Sequence, residues 1–287
     1  MRNNRTLTIL LVLAAVSIVI VPLMGGGIGP EIARWKLAAA ANALDRQAPA
    51  EEVQRLIEEA RQWHPEIEKE RDYWYVLIWE AIQQGDHALT AQRVLDARRA
   101  SHRFARLGFY VAQDLARSGE YDMAIQVLEA TIESRETTDP EWLNALAYWR
   151  ALIAKDLDTA LADINLALRE RPDDPAFRDT RAWVLFQMGR PLEALEDANF
   201  AVETFEKLYS PLLPLWDRLD QWLPRMGPTV ADDEPLSEAE ADPRLWSWGV
   251  MRYHRARILE ALGRMSEAEK DYEWLRENRL PTDDRLR

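Results

Sequence analysis

Apolar residues follow two rhythms along this chain. From Thr6 to Met24 they run almost unbroken (TLTILLVLAAVSIVIVPLM), and no charged residue lies between Arg5 and Glu31. Those 19 residues, at a helical rise of 1.5 Å each, reach about 28 Å, close to the roughly 30 Å of a bilayer's hydrocarbon core, so the run predicts a membrane-crossing helix. Beyond residue 30 the apolar positions recur at helical spacing, while strand-like alternation is scarce and the Pro residues fall mostly at regular interruptions. This part is predicted to be all-α.

The apolar run is longer than the core of a typical cleaved signal peptide, so an uncleaved signal anchor over 6–24 is expected, with residues 1–5 as a short cytoplasmic amino terminus and 25–30 as a Gly-rich hinge. Arg2 and Arg5 precede it and Arg34 and Lys36 follow, a bias that points residues 31–287 to the extracytoplasmic, periplasmic side. A signal peptide cut after Gly25-Gly26-Gly27, releasing an exported soluble protein, is the alternative.

Inside residues 31–287 a period appears. Gly85 and Gly119 are 34 apart, as are Thr90 and Ala124, Ala97 and Thr131, Ala160 and Ala194, and Ala167 and Ala201. Around Asp174–Val202 the unit reads as one helix (AFRDTRAWVLFQM), a Gly189-Arg190 turn, and a second helix (PLEALEDANFAV). Gly189 suits the left-handed residue that ends a helix, Pro191 suits the first turn of the next, and Ala182, Ala194 and Ala201 sit where two helices must approach closely. Before it, RERPDDP supplies a Pro that ends the preceding helix.

These spacings resemble the tetratricopeptide repeat. The units are 70–103, 104–138, 139–172, 173–205 and 248–281, with a degenerate first one at 31–65 marked by Ala41, Ala60 and Pro65. The resemblance implies a right-handed α-solenoid of about six helical hairpins, preceded by the one transmembrane helix. Ile78 stands where a small residue is expected, and Thr90 and Thr131 replace Ala. Ala194 and Ala268 are 74 apart, six more than two units, so a non-repeat insert is expected over 206–243. Within it Leu212, Leu215, Trp216, Leu219, Trp222 and Leu223 follow helical spacing, ahead of an acidic, Pro-containing loop.

Charge and composition narrow the function. The formal net charge is −13, and since Arg2 and Arg5 are the only charges in residues 1–30, the remainder carries −15. Such an acidic surface disfavours nucleic acid, whose phosphates are bound by clustered Lys and Arg. There is no Cys, which excludes disulfides, thiolate chemistry and cysteine zinc sites. His64, His87, His102 and His254 never fall three to five apart, so no helix face pairs two imidazoles for a metal. GGGIGPE at 25–31 lacks the Gly-Lys-Ser/Thr ending of a phosphate cradle, and no Gly-x-Ser-x-Gly elbow occurs. The carboxylates of EALED and EAEKD read as solvated helix faces. No catalytic residue, cofactor or metal is expected.

In the tetratricopeptide family the first helices line a concave groove that holds peptides or helices of partner proteins. Transferring its inward positions places Tyr75 and Trp79, then Arg106, Phe109 and Gln113, then Asn144 and Tyr148, then Asp179, Trp183 and Phe186, and finally Tyr253 and Arg257 in that groove. Some of these aromatics can equally be core between adjacent units. The Lys/Asn arrangement that clamps a terminal carboxylate in some members is not matched. The resemblance therefore implies a membrane-tethered scaffold or adaptor that binds a protein partner. The alternatives are an accessory subunit or enzyme of the cell envelope, and a protein that self-assembles into a homo-oligomer through the 212–223 helix.

Overall fold

A computed structural model describes residues 27–101, 104–132, 138–209 and 242–286. The expected anchor at 6–24 and the expected helix at 212–223 lie outside the described residues. Among the described residues every regular element is helical, and none of those helices is long and apolar enough to cross a membrane. The chain divides into two compact units, Met1–Thr131 and Ile132–Arg287.

The first unit holds α1 (Gly29–Asp45), α2 (Ala50–Trp63), α3 (Arg71–Gln83), α4 (His87–Ala100), α5 (Ala105–Arg117) and α6 (Tyr121–Thr131). The second holds α7 (Pro140–Leu152), α8 (Leu157–Glu170), α9 (Pro175–Gln187), α10 (Pro191–Tyr209), α11 (Pro243–Ala261) and α12 (Met265–Glu277). Consecutive helices pair into antiparallel, tetratricopeptide-like hairpins, three in each unit.

One device closes every hairpin. Two residues past the end of α9, Gly189 takes φ 74°; its N–H donates to Phe186 O and the next N–H, of Arg190, to Leu185 O, each at 2.9 Å. This satisfies two carbonyls that the helix end would orphan. Gly85, Gly119 and Gly263 occupy the same place, but Gln47 (φ 54°) and Ala154 (φ 50°) fill it in the first and fourth hairpins. There the chain accepts a left-handed conformation that L side chains resist. Helix starts repeat too. Asp139, Asp174 and Asp242 each precede a Pro and accept from a backbone N–H of the first turn, at 3.1, 2.9 and 2.8 Å respectively, a side-chain cap that offsets the missing helical partner.

The positions that depart from the repeat are accommodated. Thr131 is buried, and its Oγ1 donates to Val127 O at 2.8 Å; the room comes from Gly108 on α5, where a Cβ would collide with that hydroxyl. Thr90 bonds Asp86 O in the same way at 2.8 Å. Ile78 buries completely.

Helix reaches into both ends of the expected insert, since α10 runs on to Tyr209 and α11 begins at Pro243; residues 210–241 lie outside the described residues. Outside 206–243 the two helices share aromatic surface: Phe205 packs on Trp248 with ring centroids 6.1 Å apart, and Trp248 on Trp274 at 4.7 Å. The reading of EALED and EAEKD as solvated also needs correction. Their last residues, Asp197 and Asp271, are 3% and 0% exposed. Asp197 accepts from Arg178 at 2.8 Å and Arg181 at 2.6 Å; Asp271 accepts from Arg252 at 2.9 Å and Arg255 at 2.6 Å. Arg178, Arg181 and Asp197 are each 74 residues from Arg252, Arg255 and Asp271, so one charged staple occurs twice. Burial pushes the Arg252 guanidinium below its ordinary range, against the pull of Asp271. Asp163, in the same place on α8, pairs with Arg150 at 2.7 Å, both buried.

Candidate functional site

In the first unit the first helices of successive hairpins, α1, α3 and α5, stand around a concave cavity of about 390 Å³. Leu37 and Ala41 form its α1 wall, Tyr75 and Val76 its α3 wall, and Leu107 and Tyr110 its α5 wall. Arg71 and Asp72 join the α3 wall, their side chains exposed and 3.4 Å apart. The apolar walls and a few polar groups make this a surface suited to an apolar side chain carried on a polar backbone.

Tyr75 is therefore placed in the cavity lining, half-buried. Its hydroxyl is pushed above the ordinary tyrosine range first by burial, then by the carboxylates of Asp114 and Asp45. Trp79 follows one turn on, also half-buried, with its ring 6.2 Å from that of Tyr75. On α5 the expected residues sit differently. Contact of Gly108 with Thr131 and Val94 fixes the rotation of this helix, and at 100° per residue Leu107 and Tyr110 then turn toward the cavity. Arg106 is exposed, Gln113 half-buried, and Phe109 half-buried against Tyr110 with centroids 6.3 Å apart. None of these three lines the cavity. Tyr110, 49% exposed, does, and the transferred inward positions passed over it.

In the second unit the expected groove residues divide. Asn144, Tyr148, Phe186 and Arg257 are half-buried. Asp179, Trp183 and Tyr253 are 5%, 2% and 1% exposed, so the expectation that they line an open groove is corrected: they are interior. What covers Asp179 and Trp183 is α11. His254, fully buried, stacks on Trp183 with ring centroids 4.1 Å apart and 18° between planes, and its Nδ1 lies 2.9 Å from Asp179 Oδ2. Tyr148 packs on the same imidazole at 6.0 Å, and Phe186 stacks on Trp183 at 5.1 Å. Tyr253 donates its hydroxyl to Asp284 at 2.6 Å and accepts from Arg257 at 2.9 Å.

Among the described residues the His254–Asp179 pair resembles acid–base machinery, and sequence reasoning missed it because the two residues are 75 apart. A general base must reach the proton that it takes. With no exposed surface, this imidazole instead holds α11 against α9. Among the described residues no group of three His, Asp or Glu could hold a metal ion.

No family model matches the chain, and no curated protein matches it. Among solved structures, one reported as the functional characterization of PilF from Pseudomonas aeruginosa aligns with a TM-score of 0.41 and 13% identity, covering 88% of this chain and 93% of that one. Another, the crystal structure of PilW, described as a widely conserved type IV pilus biogenesis factor, aligns with a TM-score of 0.43 and 14% identity over 89% and 96%. At this level of likeness neither carries an argument about function, and the class, an all-helical tetratricopeptide-like repeat protein, rests on the hairpins described above.

Proposed function

We propose that this chain is a protein-binding scaffold, tethered to a membrane by residues 6–24, with the concave cavity of the first unit receiving a segment of a partner protein. The observation that carries it is that cavity: about 390 Å³ between three successive first helices, with apolar walls and with Tyr75 and the exposed Tyr110 beside it. Aromatic residues with a polar tip are the side chains that dominate binding energy at protein interfaces. The 19-residue apolar run and the flanking Arg2 and Arg5 support the tether and an extracytoplasmic scaffold.

The test is in-cell photocrosslinking of the full chain at Tyr110, with and without Ala41→Trp, which fills the cavity from α1. One protein captured at Tyr110 and lost when Ala41 is replaced supports the reading. No capture, or the same capture from a probe at the exposed Leu192 of the second unit, overturns it.

A further inference from the structure

A stack of helical hairpins needs a polar face on its terminal units, since the outermost hairpin has no neighbour to cover it. The last hairpin of this chain meets the need with its own tail. After α12, Leu280 and Leu286 fold back to 2% and 0% exposure beside Tyr253 and Leu275. Among the described residues the first hairpin has no such cover. On α1, Ala33, Leu37, Ala40, Ala43 and Leu44 turn inward, whereas Ile28, Ile32, Trp35 and Ala39, spaced i, i+4, i+7 and i+11, share another face. Ile28 is 40% and Trp35 73% exposed. At the open end of the hairpin Gly29 abuts the carbonyl of Trp63, whose side chain is 50% exposed. Trp35 and Trp63 are the most exposed tryptophans among the described residues, and both belong to this hairpin.

We infer that this face of the first hairpin rests on a lipid bilayer, with Trp35 and Trp63 in the headgroup layer. The inference depends on the tether reading. Three things select lipid over other occupants. The apolar run ends at Met24 and the exposed face begins at Ile28, a span of about 14 Å even fully extended, so a membrane crossed by 6–24 lies within reach of this face. Tryptophan is the side chain that favours the membrane–water boundary, where its ring is in apolar surroundings and its N–H stays wet. Two carboxylates near this face are already paired, Glu31 with Arg34 at 2.7 Å and Glu59 with Lys36 at 2.5 Å, which blunts repulsion from anionic headgroups.

The absence of Cys makes the test direct. The full chain is reconstituted in vesicles of phosphatidylcholine and phosphatidylglycerol, with one nitroxide label carried in turn by V16C, W35C, W63C and L192C. Collision rates with oxygen and with a water-soluble nickel chelate then report depth. Labels at positions 35 and 63 are expected to meet the nickel chelate severalfold less often than the label at 192, and oxygen more often, at a depth between it and the label at 16. If the labels at 35 and 63 are as open to the chelate as the one at 192 while the label at 16 sits in hydrocarbon, the docking inference falls and the tether stands. If the label at 16 is also in water, both fall. Dipolar broadening between labels at 35 on two copies would make the face a self-association surface and overturn the lipid assignment.

Discussion

The first and last hairpins are built on the same repeat and are held together by different means. In the last, Arg252 and Arg255 converge on Asp271, which has no exposed surface, the tail to Leu286 packs over Tyr253, and Gly263 turns the corner. In the first, Lys36 and Glu59 meet where both are about a third exposed, no described residue covers Trp35 or Trp63, and Gln47 turns the corner at φ 54°. A repeat fixes where helices lie. It does not fix whether the charge between them is buried or whether the end of the stack is closed.

The largest effect should come from the charges. Replacing Asp271 by Ala leaves Arg252, packed over Trp248 and Trp274 at 5.2 and 4.5 Å, with its main partner gone. Breaking a buried pair from one side costs about 3–5 kcal/mol. Glu59→Gln, at an exposed pair, should leave the denaturation midpoint unchanged within error. Urea unfolding followed by circular dichroism checks both. Equal effects would mean that the two hairpins are held alike, and the comparison would fail.

Next in size is the closure of the last hairpin. A Cβ on Gly249 would stand 2.6 Å from Leu280 Cδ1, 3.4 Å from Leu275 and 3.5 Å from Leu286. Gly249→Val therefore pushes the tail off α11, at a cost of about 1–3 kcal/mol for an overpacked core. Amide hydrogen exchange should rise at Leu280 and Leu286 and stay unchanged in the first unit. Loss of protection spread evenly through the second unit would show that the tail is not a separable lid.

How much of this was legible in the sequence depended on whether a residue answers to its own stretch of chain or to one further along. Gly85, Gly119 and Gly263 mark their turns because left-handed backbone selects glycine locally, and the interval from Gly85 to Gly119 gives the 34-residue period. Tyr75 lines the cavity with residues of the helices on either side of it. Trp183 and Tyr253 did not behave as their register implied, because His254 of the next hairpin covers Trp183 and the tail after α12 covers Tyr253. Asp197 and Asp271 looked like surface acids although their partners belong to their own hairpins. Their partners lie 16 or more residues away, and nothing in EALED or EAEKD announces an Arg-x-x-Arg on the facing helix. The signal was present only in comparing units: the same three residues recur at an offset of 74.

The smallest effect tests the turns, and here the two hairpins should respond in opposite directions. Gln47 sits at φ 54° and Gly263 at φ 72°, and both make the same pair of closing hydrogen bonds, Gln47 N to Leu44 O and Gly263 N to Glu260 O at 2.9 Å, each followed by the bond from the next N–H. The left-handed conformation costs a residue with a Cβ about 1–2 kcal/mol, part of which glycine gives back as greater freedom in the unfolded chain. Gln47→Gly should therefore stabilise the first unit by about 0.5–1 kcal/mol, and Gly263→Ala should destabilise the second by about 1 kcal/mol. If Gln47→Gly destabilised instead, its side chain would be contributing something at the turn beyond backbone strain. Its position beside the second hollow of the first unit, formed with Leu44, Val53, Gln83 and Gln84, is where that contribution would have to arise.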